Sequence, residues 1–177
     1  MSTKTIVITR PSGQARQLIE VLTKAIEQTG IAKQSLPEIL SLPLLTIVPK
    51  SDDRLADHIA TVLNDADLAI FVSPHAIESV MRLLERNWQD FSKKIIPIGV
   101  MGGSSAMALK NHGIGFESTP TAIYMPNSPE QWDSAGLWQV LQGLQWDWPT
   151  KKIVIFKGDG GRDWLADTFK KAGATVE

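Results

Sequence analysis

The stretch Lys151–Glu177, KKIVIFKGDGGRDWLADTFKKAGATVE, decides the fold, because one short run holds a strand, a glycine-rich turn, a helix and the start of another strand. Ile153 to Phe156 is apolar at every position, the pattern of a strand covered on both faces in a parallel sheet. Lys157-Gly158-Asp159-Gly160-Gly161-Arg162 follows as a turn whose glycines permit positive φ and close approach of a backbone or a ligand. Leu165, Phe169 and Ala172 then recur at helical spacing. Lys170 and Lys171 fall in the last turn, where cations complement the helix dipole, and Gly173 suits the position after the C-cap. Ala174-Thr175-Val176 opens the next strand, and the 177 residues stop inside it, where a domain is not expected to end.

Working outward, the same strand–turn–helix unit repeats. Thr5 to Thr9 is a strand, Arg10-Pro11-Ser12-Gly13 a turn, and Ala15, Leu18, Ile19, Leu22 and Ile26 share one face of a helix that ends at Gly30. Pro37, Pro43 and Pro49 exclude a long helix between Ile31 and Lys50, which reads as a strand followed by a linker. A helix around Leu55, Ile59 and Val62 leads to the strand Leu68–Val72 and the turn Ser73-Pro74-His75, in which Ser caps and Pro takes the first helical position. Ile77, Val80, Met81 and Leu84 mark the next helix. Lys94 to Gly99 reads as a strand, Met101 to Ala106 as a small-residue turn into a helix ended by His112-Gly113, Ile114 to Ser118 as a weaker strand, and Thr119 to Ser128 as a loop. A short helix around Leu137, Val140 and Leu141 precedes Pro149 and the final unit.

Alternating strands and helices with short turns specify an α/β fold, a parallel sheet covered on both sides and reached by right-handed crossovers. Ligands of such sheets bind at the carboxyl ends of the strands. Four turns lie there: Arg10 to Gly13, Ser73 to His75, Gly99 to Ser105 and Lys157 to Arg162.

Composition narrows the partners. With 18 basic and 19 acidic residues the formal charge is −1, so no global basic field attracts nucleic acid or an anionic membrane, and an anion site must be local. There is no cysteine, which excludes disulfides and thiolate metal sites and is compatible with the cytosol. The apolar run before Arg10-Pro11 is too short for a signal peptide or a membrane span, and the expectation is a cytoplasmic protein. No G-x-G-x-x-G follows any strand, since Gly158-Asp159-Gly160-Gly161 runs on into Arg162-Asp163, which argues against a dinucleotide or flavin enzyme.

Four motifs, in this order and spacing, carry a resemblance: I-T-R-P-S-G-Q-A, F-V-S-P-H-A-I, I-P-I-G-V-M-G-G-S-S-A-M-A-L and F-K-G-D-G-G-R-D-W-L. The resemblance that they carry extends over nearly the whole chain, which is similar to the uroporphyrinogen-III synthases. Ser105-Ala106 stands where that family usually has Thr-Ala, and Lys157 where it usually has Arg; both swaps keep a hydroxyl or a cation. The resemblance implies two flavodoxin-like or Rossmann-like lobes with parallel sheets joined by an extended linker. Residues 1–43 would form the first part of lobe 1 as strand, helix and strand, 44–50 the linker, and 51–177 lobe 2. Family members run on for another half-lobe, which completes lobe 1 and includes a tyrosine assisting loss of the substrate hydroxyl, so that position falls past Glu177 and this form is expected to be inactive alone.

The implied reaction needs no cofactor and no metal. Linear hydroxymethylbilane loses water, ring D attacks through a spiro intermediate, and the macrocycle closes with that ring inverted to give uroporphyrinogen III. The implied partner is that small molecule alone, with no nucleic acid and no membrane, acting on a monomer. Its eight carboxylates suit helix N-termini facing one cleft, each with unpaired N–H groups. The implied substrate-binding residues are Arg10, Ser73, Pro74, His75, Gly102, Ser104, Ser105, Lys157, Gly158 and Arg162.

Each also has a structural reading. Ser73-Pro74 caps a helix whatever else it does, His75 is a polar first-turn residue, and Ser104 and Ser105 are candidate caps. Lys157 and Arg162 are within reach of Asp159 and Asp163. His58 and His112 read as structural, Tyr124 as a loop residue, and Trp132, Trp138, Trp146 and Trp148 as packing around a short helix. The rival to a synthase is a truncated, non-catalytic α/β module that binds a tetrapyrrole or another protein.

Overall fold

The computed structural model describes residues 4–30, 36–48, 50, 53–92, 94–115 and 119–177. The chain divides into two compact units, Met1–Pro49 and Lys50–Glu177.

In the smaller unit β1 (Thr5–Ile8) leads through α1 (Ser12–Gln28) to β2 (Glu38–Ser41), which pairs with β1 in parallel, Ile6 opposite Ile39 and Val7 opposite Leu40. Among the described residues this is a βαβ crossover of two strands. Ile8 and Ala15 are its buried apolar residues, while Val7 and Leu40, opposite each other on one face, are both about half exposed.

The larger unit runs α2 (Asp53–Asp65), β3 (Leu68–Phe71), α3 (Pro74–Leu84), β4 (Ile98–Val100), α4 (Gly103–Asn111), β5 (Ile123–Tyr124), α5 (Ser134–Gln142), β6 (Lys152–Phe156), α6 (Trp164–Lys171) and β7 (Thr175–Val176). Its sheet is parallel throughout, in the order β5-β4-β3-β6-β7. Counted within the unit this is 3-2-1-4-5, so of the two doubly wound orders the chain takes the Rossmann one, whose direction of winding reverses at the central strand, β3.

β3 shows why the apolar runs are unbroken. Ala69 and Phe71 point into a core shared with α2, α3 and α4, whereas Leu68 and Ile70 point into the core formed with α5 and α6. Successive side chains alternate between faces, so a strand with helices on both sides needs an apolar residue at every position. Gly99 in β4 has a spatial reason: a Cβ there would sit 3.3 Å from both Ile70 and Leu137, where α5 crosses the sheet closely. Phe71 stacks on Phe156 at 4.8 Å between ring centroids and meets Trp88 edge-on at 5.8 Å. Trp88 satisfies its one polar atom by donating Nε1–H to the Ile96 carbonyl at 3.0 Å.

Sequence and structure differ around the fourth and fifth strands. Thr119 to Ser128, expected as a loop, contains β5, and Ile114 to Ser118, expected as a strand, does not extend the sheet at Ile114 and Gly115; residues 116–118 lie outside the described residues. Gly113 and Gly115 both take positive φ, +67° and +76°, which breaks an extended run. Pro120 and Pro126 flank β5 without entering it, which an edge strand tolerates. Tyr124 is therefore a strand residue, and its ring packs edge-on against Trp146. β4 also begins at Ile98 rather than Lys94.

Candidate functional site

β4, β3 and β6 are adjacent and parallel, so the chain leaves all three at one edge of the sheet. Two inter-strand spacings separate the outer pair, about 10 Å.

After β3 comes Ser73-Pro74-His75. Ser73 is extended, its Oγ accepts the Ala76 N–H at 3.2 Å, and Pro74 fills the first helical position of α3. The Ser73-Pro74 turn thus does what its structural reading required. It leaves few free donors, since Pro74 has no N–H and that of Ala76 is used. After β4, Gly102 caps α4 with no side-chain bond, which places Ser104 and Ser105 inside the first turn rather than at the cap. The capping role expected of the two serines is overturned on that ground; Ser104 is exposed and Ser105 buried. The N–H groups of Gly103 and Ser104 have no acceptor among the described residues.

After β6, the loop Lys157 to Arg162 is held by its own side chains. Lys157 donates to the Gly161 carbonyl at 3.2 Å and to the Asp163 carboxylate, and the Gly161 N–H reaches the Gly158 carbonyl at 3.3 Å. The hydrogen bond and charge of Lys157 hold the Asp163 carboxyl below the usual range. Asp159 pairs with Lys50 at 2.9 Å. Arg162 is exposed and makes no ion pair among the described residues.

The fold therefore brings Ser73, Pro74, His75, Gly102, Ser104, Ser105, Lys157, Gly158 and Arg162 to one edge. Arg10, the remaining member of the expected set, stands exposed beyond the carboxyl end of β1 in the smaller unit. His112 pairs with Glu78 at 2.9 Å and His58 with Glu177 at 3.3 Å, both on the surface of the larger unit.

The opposite edge of the sheet is chemically closed. Asp67 accepts from Lys94 Nζ at 2.8 Å and from the Lys152 backbone N–H at 2.8 Å, while Lys152 Nζ reaches Asp65 at 3.0 Å. Burial pushes the Asp67 carboxyl up, but the Lys94 and Lys152 hydrogen bonds and the charges of Lys94 and Lys151 outweigh it and leave it below its ordinary value. A free arginine and unpaired helix N–H groups at one edge, with a neutralised network at the other, give the sheet a polarity suited to binding anions at its carboxyl side.

The sequence groups Trp132 with the packing tryptophans. Trp138 and Trp148 do pack, against each other and against Phe169, and Trp146 packs on Trp148. Trp132 does not. Its indole lies along the first turn of α4, so close that a Cβ on Gly102 or on Gly103 would come within 2.7 Å of a ring carbon. It is still 43% exposed. The sequence signal was the Gly102-Gly103 pair together with a tryptophan outside the apolar period of α5, but neither gives the pairing by itself.

Among the described residues no group of three or more His, Asp or Glu is placed to hold a metal, and no helix is long and apolar enough to cross a membrane.

Fold and edge define a doubly wound α/β lobe of the Rossmann type without the dinucleotide fingerprint. A family model described as "Uroporphyrinogen-III synthase HemD" matches residues 21–177. The uroporphyrinogen-III synthase of Salmonella typhimurium is 29% identical over 175 residues, 97% of this chain and 61% of that protein. The chain belongs to the uroporphyrinogen-III synthase family, and it spans about three fifths of the length of the curated relative it matches.

Proposed function

We propose that this chain acts in uroporphyrinogen-III synthesis, holding the linear tetrapyrrole hydroxymethylbilane on the carboxyl edge of the larger sheet while it closes to uroporphyrinogen III. The observation that carries the reading is the convergence of the β3, β4 and β6 turns on one edge in a chain of this family. The reaction is a dehydration: the C–O bond of the hydroxymethyl group breaks and its oxygen leaves with a proton as water, and the substituted α-carbon of ring D bonds to the freed methylene as a spiro centre. The bond from that centre to the ring C methylene then breaks and re-forms at the free α-carbon of ring D, which gives up its proton, so the ring ends inverted. The protein's contribution is mainly positional, since folding a flexible tetrapyrrole into a near-closed shape removes most of the entropic cost of cyclisation. The side-chain carboxylates of the substrate are taken by the Gly103 and Ser104 N–H groups and by Arg162, and Lys157 shapes the loop that presents Arg162. We place the protein in the cytoplasm as a monomer needing no cofactor.

Arg10, of the expected binding set, lies in the smaller unit. Two strands with one helix bury little apolar surface, Ile8 and Ala15 being the buried apolar residues among those described there. We therefore expect the 177 residues alone to give little type III product. The test supplies hydroxymethylbilane to the purified protein and separates the uroporphyrin isomers after oxidation. Closure without inversion gives the type I isomer, so a type III fraction no larger than in a protein-free control, from a protein that nevertheless binds uroporphyrin, would identify a tetrapyrrole-binding module without catalysis. Rapid type III formation would show that two strands suffice.

A further inference from the structure

We infer that Trp132 and Trp164 are stacking platforms for the rings of the bound tetrapyrrole, a role that rests on the tetrapyrrole reading of the carboxyl edge. Their environments separate the tryptophans cleanly. Trp88 is buried and hydrogen bonded, and Trp138, Trp146 and Trp148 are half-buried in one aromatic cluster. Trp132 and Trp164 alone are among the exposed large apolar residues, at 43% and 47%.

Both stand at the carboxyl edge. Trp132 lies on the turn that follows β4, and Trp164 is the first residue of α6, after the loop that follows β6. α4 belongs to the helical layer on one face of the sheet and α6 to the layer on the other, so the two positions flank the end of β3, where Ser73 to His75 emerges. Exposing two indoles to water costs hydrophobic free energy that a packed position would recover. Trp132 is moreover seated by construction: its ring spans from Gly102, near Cγ and Cδ2, to Gly103, near Cζ2 and Cη2, filling the space where either residue would carry a side chain. Contact with both ends of the ring system means that the indole lies flat on the backbone, a fixed surface rather than a mobile side chain.

A flat aromatic surface beside an arginine and free N–H groups matches a ring bearing carboxylate arms. Pyrroles are electron-rich planar rings, and stacking on indole is favourable in offset or edge-on geometry. Carboxylate contacts fix the periphery of such a ligand and stacking fixes its plane, which anions without rings do not need.

The 177-residue protein is titrated with uroporphyrin III, following the Soret band, in wild type, Trp132→Ala, Trp164→Ala, the two Trp→Phe variants and Gly102→Ala. Each Trp→Ala change should weaken binding roughly 3- to 10-fold with an unchanged salt response, and each Phe variant should stay within about twofold. Gly102→Ala, whose Cβ displaces the indole, should reproduce Trp132→Ala. A second readout needs no variant: saturating uroporphyrin should protect Trp132 and Trp164 of the wild type from oxidation by N-bromosuccinimide, mapped by mass spectrometry. Wild-type affinity in both Ala variants, or no protection of either indole in a protein that binds uroporphyrin, overturns the inference. A wild type that does not bind uroporphyrin at all overturns the tetrapyrrole reading itself, and this inference with it.

Discussion

Two parallel sheets in one chain obey the same sequence grammar and reach different degrees of burial. TIVI in β1 is apolar at three of four positions and LAIF in β3 at all four, and each leads through a turn into an amphipathic helix. Yet all four residues of β3 are buried and only Ile8 of β1 is. β3 has strands on both sides and helices on both faces, whereas β1 has, among the described residues, one partner strand and one helix. The lesson is that an apolar run sets what a strand can bury, and its neighbours set what it does bury. Leu42, Leu44, Leu45, Ile47 and Val48, all exposed after β2, make the same point.

The largest effect should come from core truncation. Phe71→Ala removes a fully buried ring packed on Phe156 and Trp88 and should cost about 3–5 kcal/mol, whereas Val7→Ala, on the uncovered face of β1, should cost under about 1 kcal/mol. Chemical denaturation of the two variants measures the contrast, and native-state hydrogen exchange sharpens it, with amides of β1 and β2 exchanging well before those of β3 and β6. Equal costs, or equal protection, would mean that the smaller unit is as well covered as the larger.

Arg162 and Arg10, one exposed cation beyond a strand end in each unit, extend the contrast to binding. Arg162→Ala should weaken uroporphyrin binding by about 1.5–3 kcal/mol and reduce its salt dependence, as loss of a hydrogen bond to a charged partner does. Arg10→Ala should change binding less, because Arg10 lies in the smaller unit whereas Arg162 shares a sheet edge with the Gly103 and Ser104 N–H groups. Titration at two salt concentrations decides it. An Arg162 variant binding like wild type would leave the site to backbone groups alone.

Much of this was legible in the residues. Ile153 to Phe156 announced a strand covered on both faces, Ser73-Pro74 a cap, and Gly173, at φ +95°, a helix end. β5 was not legible, because two residues between prolines carry no periodicity, and only pairing with Ile98 and Gly99 makes them a strand. Nor was the pairing of Lys157 with Asp163 separable from a ligand role by spacing alone, since the choice among Asp159, Asp163 and a bound anion depends on the path of the loop. The seat of Trp132 was not legible, because its partner, the glycine pair, lies some thirty positions away in sequence and next to it in space.

Acid should act on the two units unequally, because every ion pair among the described residues lies in the larger one. Asp67 has a folded pKa below its unfolded value of about 3.9. Its contribution is therefore complete above that value and is lost as the pH falls through the lower folded pKa. Asp67→Ala, which also leaves the Lys152 N–H without its acceptor, should cost about 1–2 kcal/mol at neutral pH, the lower part of the range for an unpaired group because the site is partly open to water. The variant should lose less stability than wild type between pH 5 and pH 3, to be followed by thermal melts across that window. Parallel acid profiles would remove Asp67 from the account.

The smallest contrast concerns how the two main crossover helices begin. α3 is capped by Ser73 Oγ, whereas α1 starts after Pro11 with no side-chain cap, and Ser12 is an exposed first-turn residue. Ser73→Ala should cost about 1 kcal/mol, and Ser12→Ala no more than about 0.5 kcal/mol in either direction. Because the Ser73 hydroxyl is already engaged by the Ala76 N–H, its loss should reach uroporphyrin through α3 rather than through a lost ligand contact, so binding should weaken by no more than about 1 kcal/mol. Ser73→Asn restores a capping oxygen and should recover stability and binding together. Recovery of stability without binding would instead make Ser73 Oγ a direct ligand of the substrate, with the cap as its resting partner.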